Sequence, residues 1–215
     1  MSSAARVVVL ISGRGSNLKA LIDQSALFGS YSVVGVLSDR ANAAGLEHAY
    51  AAGCSTMPVP RSDGESREAY EERLMFAVDA WRPDIVALAG FMRVLGDAFV
   101  ARYAGRLVNI HPSLLPNFPG LDTHRRAIEA GEHEHGASVH YVASEVDSGP
   151  VIAQVALPIE AEDDATVLAA RVLHEEHRLY PTVLDWLARG WVRLHEGRVW
   201  FGSAPLATPV RLAST

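Results

Sequence analysis

Three polar residues lie where their types and spacing could do chemistry. In "LVNIHPSLLPNFPG", residues 107–120, an apolar run delivers Asn109 and His111 and then breaks into Pro112, Pro116 and Pro119. If the run is a strand, residues two apart share a face, so Asn109 and His111 project together while Ile110 enters the opposite layer. An amide donor beside an imidazole can hold an oxyanion, and a protonated imidazole there can also give up its proton. Such a histidine needs a carboxylate nearby to lift its pKa from about 6.5. Asp147, in the turn "EVDSG", is the candidate, although the sequence does not fix its distance from His111. The prolines stiffen the loop behind the pair and withhold amide donors, and one Leu-Pro bond could be cis.

A second constellation is "SGRGSNL". Gly13 and Gly15 allow a sharp backbone turn and close approach to a ligand. The amides at the start of the next helix then face an anion, and Ser16 and Asn17 can cap the helix or donate to phosphate oxygens. The third glycine of G-x-G-x-x-G is absent, Leu18 standing there, and there is no Lys-Ser/Thr pair of a P-loop. Asp39 stands about where a dinucleotide fold places its ribose-binding acid. The loop therefore reads as a plain turn, a monophosphate site or an NAD site, in unequal measure and with monophosphate first.

Other polar clusters read blandly. "HEEH" at 174–177 spaces its histidines at i and i+3, whereas a zincin helix needs i and i+4, so no metal is expected. His133 and His135 read as solvated loop residues, and His140 as a strand residue facing the site. Cys54 reads as a small buried hydrophobe. In "GFMRVL", the cationic Arg93 is hard to bury idly.

The elements that must carry these residues are set by hydrophobic period. "RVVVLIS" is a β-branched run ending at glycines, the pattern of a strand buried on both faces of a parallel sheet. "SVVGVLSD", "STMPVP", "DIVALAG" and "RLVNI" repeat it. Helical spacing fills "NLKALIDQSAL", "NAAGLEHAYAAG" (stopped by Gly53), and residues 65–81 (ended by Pro83). This alternation predicts a doubly wound, mostly parallel α/β sheet with right-handed crossovers and helices on both faces. Further on, "DTHRRAIEAG" is a short helix capped by Asp122 or Thr123. "GASVHYVAS" and "PVIAQVALPI" are strands, and 163–189 is a long helix kinked at Pro181. "WVRLHEGRVWF" is a C-terminal hairpin turning at Glu196-Gly197. Residues 1–202 are expected to form one domain, and 203–215 a loose tail.

Composition narrows the classes. The 215 residues are 49% hydrophobic with a net charge of -6, which disfavours duplex nucleic acid as a partner. One cysteine permits no internal disulfide, no apolar run reaches a membrane span, and the N-terminus lacks a signal-peptide layout. A cytoplasmic monomer or homodimer acting on small molecules is the expectation.

Taken together, "VVLISGRGSNLKALID", "VALAGFMRVL", "GRLVNIHPSLLPNFPGLDTH" and "HGASVHYVASEVDSGPVIAQ" resemble the phosphoribosylglycinamide formyltransferases. "NIHPSLLP" with a downstream Asp-x-Gly turn marks the wider formyltransferase superfamily, and "SGxGSNL" the glycinamide ribonucleotide branch. The resemblance implies a Rossmann-like formyltransferase fold and transfer of a formyl group from 10-formyltetrahydrofolate to the amine of glycinamide ribonucleotide, without metal or covalent enzyme intermediate. It implies that Asn109 and His111 steady the tetrahedral oxyanion, and that Asp147 keeps His111 protonated and helps shuttle the proton. Gly15, Ser16 and Asn17 would bind the phosphate and Glu176 the ribose. Arg67, Met92, Arg93, Val94, Leu95, His140, Ala143, Ser144, Glu145 and Val146 would line the folate site. Two rivals are a 10-formyltetrahydrofolate hydrolase and a non-catalytic nucleotide-binding sensor. Arg14 could add positive charge near a phosphate, and Asp122 carries no assigned role.

Overall fold

The computed structural model describes residues 3–215. Its elements run β1 (Ala5–Ile11), α1 (Ser16–Phe28), β2 (Tyr31–Ser38), α2 (Gly45–Ala51), β3 (Thr56–Pro58), α3 (Arg67–Asp79), β4 (Ile85–Leu88), α4 (Asp97–Arg102), β5 (Leu107–His111) and α5 (Thr123–Glu129). Then come β6 (Glu134–Tyr141), β7 (Val151–Pro158), α6 (Ala165–Ala188), β8 (Val192–His195), β9 (Arg198–Phe201), β10 (Ala204–Pro205) and β11 (Val210–Leu212). The main sheet has the order β11-β7-β6-β5-β4-β1-β2-β3. It is parallel except where β6 pairs with β5 and β7. The long run at β1 is explained by burial on both sides. Val7, Val9 and Ile11 enter one core layer, and Val8 and Leu10 the other.

The chain leaves β1 toward β2 and β3, then returns to place β4 on β1's other side. Strand order therefore reverses between β1 and β4, and open α/β sheets bind ligands in the crevice beyond such strand ends. The two loops there are tied together: Ser12 donates its amide to the Gly90 carbonyl at 3.1 Å, and its hydroxyl accepts from the Met92 amide at 2.8 Å.

Local signals act as their chemistry dictates at several ends. Ser66 caps α3 by accepting from the Ala69 amide, and Asp164 caps α6 by accepting from Thr166 and Val167. Helix α6 runs through Pro181 as one element. The β8–β9 hairpin turns at Glu196 (φ 50°) and Gly197 (φ 72°), left-handed values that suit a tight hairpin turn.

Three expectations change. The segment after 202 is not loose: β10 pairs with β9, and β11 adds a parallel edge strand to β7. Thr215 is also fixed, its amide and hydroxyl donating to the buried Glu175 at 3.0 and 2.9 Å. Asp122 occupies the N-cap position of α5 at φ 57° but makes no side-chain cap; its carboxylate pairs instead with Arg125. Helix α4, in a stretch with no assigned element, forms over six residues behind Gly96, with Phe99 as its only buried anchor.

Candidate active site

Asn109 and His111 leave the carboxyl end of β5 on one face, as the period-two pattern requires. Antiparallel pairing sets Asn109 opposite His140 and His111 opposite Ser138. Cross-strand neighbours approach closely, which brings the Asn109 Nδ2 to 3.2 Å from His140 Nε2. His140 Nδ1 faces the Tyr141 carbonyl at 2.9 Å. A carbonyl only accepts, so Nδ1 carries a proton, while Nε2 lies within reach of both Asn109 Nδ2 and, at 3.6 Å, Asp147 Oδ1. The Asn109 amide is thereby oriented, with its second N–H left for another acceptor.

Asp147 sits in the β6–β7 loop at φ 54°. Gly149 is needed close by, since a Cβ there would stand 1.8 Å from the Tyr141 carbonyl oxygen. The loop brings Asp147 Oδ2 to 3.2 Å from His111 Nδ1, Asp147 Oδ1 to 3.6 Å from His140 Nε2, and the Gly120 amide donates to Oδ2 at 2.9 Å. The other imidazole nitrogen, His111 Nε2, faces the Phe118 carbonyl at 3.0 Å.

The electrostatics correct the expectation for His111. Burial pushes its pKa down; the Phe118 carbonyl and the Asp147 carboxylate push it up but do not overcome burial, and the net shift is downward. For Asp147, burial raises the pKa, but the His140 ring, the Gly120 amide and the charge of His111 outweigh it and hold the carboxyl below the usual range. Asp147 is thus a carboxylate, facing a histidine whose protonated form is a stronger acid than usual.

These groups line a cavity of about 530 Å³ shared with Met92, Arg93, Val94, Leu95 and residues 143–146. Met92, Val94, Leu121 and Val146 expose apolar surface at its margin. Arg67 stands apart, on an adjoining 250 Å³ cavity that Met92, Arg93, Val94 and Leu95 also line. It pairs with Glu71 at 2.8 Å and donates to the Val94 carbonyl at 3.0 Å. Arg93 is committed to Asp39 at 2.7 Å, so the acid that suggested a dinucleotide site is occupied by a cation.

At the glycine loop, Gly15 adopts φ 75° as N-cap of α1 and supplies no side-chain cap, leaving the first-turn amides without helical partners. Arg14 is exposed. Asn17 Nδ2 donates to Glu176 Oε2 at 2.7 Å, joining the loop to α6. Burial raises the Glu176 carboxyl to about 7, against the lowering effect of that hydrogen bond.

Several residues escaped sequence reasoning. A Cβ on Gly45 would lie 2.6 Å from Ile11 Cδ1 and 2.9 Å from Gly15 Cα. Gly45, far along the chain, therefore provides the close approach that the glycine loop's own missing third glycine does not. His135 is not solvated; it is 1% exposed, in contact with His124 at 3.2 Å, and its pKa is pushed down to about 4 by burial and by His124. His124 lines the large cavity. Leu115-Pro116 is the cis bond. Among the described residues, no group of three or more His, Cys, Asp or Glu is arranged to hold a metal ion, and no helix is long and apolar enough to cross a membrane.

A strand-borne Asn-His pair facing a loop aspartate, beside a glycine loop on a doubly wound sheet, places the molecule in a known class: the chain belongs to the formyl transferase family, whose model matches residues 5–184. It is 51% identical over 197 residues to the phosphoribosylglycinamide formyltransferase of Escherichia coli, covering 90% of this chain and 92% of that one. It is 47% identical over 191 residues to the trifunctional purine biosynthetic protein adenosine-3 of Drosophila pseudoobscura pseudoobscura, 87% of this chain but 14% of that longer protein. A solved phosphoribosylglycinamide formyltransferase from Coxiella burnetii superposes with a TM-score of 0.94 at 44% identity, covering 97% of this chain and 99% of that one.

Proposed function

We propose that this enzyme transfers the formyl group of 10-formyltetrahydrofolate to the amine of glycinamide ribonucleotide, in purine biosynthesis. The observation that carries the site assignment is His111 held between Asp147 and the Phe118 carbonyl, with Asn109 on the same face, in the wall of the large cavity.

The amine nitrogen attacks the formyl carbon and the carbonyl π pair moves to oxygen. Asn109 offers its free N–H to that oxyanion and His111 supplies positive charge. Burial makes the His111 imidazolium a stronger acid than usual, which favours release of its Nε2 proton, passed from its hydrogen bond with the Phe118 carbonyl to the folate nitrogen as the C–N bond breaks. Asp147 balances the imidazolium and helps carry the proton lost by the amine. The product amide and tetrahydrofolate then hold all atoms and protons of the reactants. The α1 amides at Gly15, Ser16 and Asn17 receive the phosphate, and Glu176 meets the ribose hydroxyls. The flat pteridine lies in the apolar cavity against Met92, Val94, Leu95, His140 and the 143–146 loop, with Arg67 and Arg93 toward the carboxylate end. The formyl donor is a co-substrate, and the mechanism assigns no step to a metal.

The test is turnover by purified protein given both substrates, monitored by the folate absorbance change. Formate release in the absence of the ribonucleotide would favour the hydrolase reading instead. Retention of full biological activity by His111→Ala would favour the sensor.

A further inference from the structure

His111 and Asp147 face each other, and one short turn touches both. The Phe118 carbonyl accepts from His111 Nε2 at 3.0 Å, and two residues on the Gly120 amide donates to Asp147 Oδ2 at 2.9 Å. Between and beyond them, the Pro119 and Leu121 carbonyls turn the other way, to the Arg126 guanidinium, at 2.6 and 3.1 Å. The same guanidinium lies over the Phe118 ring, 5.5 Å from its centroid. The turn is not a relaxed one: Phe118 sits at φ 52° and Gly120 at φ 80°. A non-glycine residue in that left-handed region persists only where its surroundings impose it. Arg126, in the last turn of the short helix α5, is the group that binds the turn's outward carbonyls.

We propose that Arg126 is a positioning residue, fixing the 118–121 turn so that its Phe118 carbonyl and Gly120 amide clamp His111 and Asp147 in one hydrogen-bonded ring. This deepens the formyl-transfer reading and rests on it for the choice of reacting groups. A guanidinium is suited to the task because one nitrogen, Nη1, donates to both carbonyls while the planar group lies over the Phe118 ring. Lysine would keep the charge and lose the planar stack that holds the donor over the turn.

The groups facing His111 set the sign of the pH effect. Burial, His140 and Arg126 lower its pKa, whereas the Phe118 carbonyl and Asp147 raise it; His124 and His135 are also coupled to its charge. Arg126→Lys keeps the cation but releases the turn, so His111 loses a support for its protonated form and its pKa falls. A step needing the protonated form is lost as pH rises through that pKa, so the alkaline limb of kcat moves to lower pH.

The experiment compares wild type, R126K and R126M. Expected are a fall in kcat of about tenfold or more in both variants, from misplacement of the catalytic group, KM for each substrate within about threefold, and melting that remains cooperative. In R126K, the His111 titration read by NMR without substrate moves acidward. Wild-type kcat and an unmoved His111 titration in R126K would overturn the proposal, as would losses confined to melting temperature. The NMR readout needs no turnover, so it separates failure of the clamp from failure of the formyl-transfer assignment.

Discussion

Glu176→Gln should make the free protein more stable and the enzyme worse. The carboxyl of Glu176 is buried, with Asn17 Nδ2 as its hydrogen-bond partner at 2.7 Å. Burial raises its pKa from 4.5 to about 7. The unfolded chain releases this proton near pH 4.5, while the folded protein keeps it until near pH 7, so between those values the folded state binds more protons and stability falls as pH rises. Above pH 7 both states are ionised and the penalty is constant. At 1.36 kcal/mol per unit, it amounts to about 3 kcal/mol. Glutamine has nearly the same shape, no charge, and a carbonyl oxygen that still accepts from Asn17. Urea denaturation should therefore show E176Q more stable than wild type by up to about 3 kcal/mol at pH 8, and by about 1 kcal/mol or less at pH 5. The same variant should raise KM for the ribonucleotide, because a neutral amide is a weaker acceptor for ribose hydroxyls than a carboxylate. Equal stability at pH 8, or a gain independent of pH, would show that burial of this charge is not what the site maintains.

Asp147→Asn should lower kcat by about a hundredfold or more with little change in either KM, since it removes the counter-charge of His111 and a proton carrier; steady-state kinetics checks this. Gly45→Ala puts a Cβ 2.9 Å from Gly15 Cα, backbone that cannot rotate away. Overpacking of this kind costs about 1–3 kcal/mol, and KM for the ribonucleotide should rise about tenfold while KM for the folate stays put. Deleting residues 203–215 strips the β7 edge and takes the Thr215 donors from Glu175, leaving Arg178 as its cation. Losing hydrogen bonds to a buried carboxylate should lower the melting temperature by about 5 °C or more by calorimetry.

Much of this molecule is legible in local chemistry. The unbroken apolar run of β1 announces a strand covered on both faces, because each alternate side chain needs its own core layer. The pairing of Asn109 with His111 on one face needs only a two-residue period. The Glu196-Gly197 hairpin is legible because turn energies are set by neighbours in sequence. The family likeness lies in motifs of this kind.

Other features exist only once distant segments meet. That Asp147 touches His111 depends on β6 and β7 folding back beside β5, and the net acidity of that histidine depends on how much water the closed cavity excludes. Hydrogen-bond partners alone give the opposite sign, because they omit burial. His135 has the local pattern of a loop histidine, and is buried because β6 begins one residue before it. Gly45 has the pattern of an ordinary helix residue, and only the packing of Gly15 against it makes its missing side chain necessary. The last residues have no strong pattern of their own, because the edge of β7 that they pair with lies far earlier in the chain, Val210 pairing with Ala153. Short stretches of backbone carry their own preferences; burial, close approach and charge pairing are properties of the assembled volume. The pKa values of this site, like the turn that grips its two central residues, belong to that second kind.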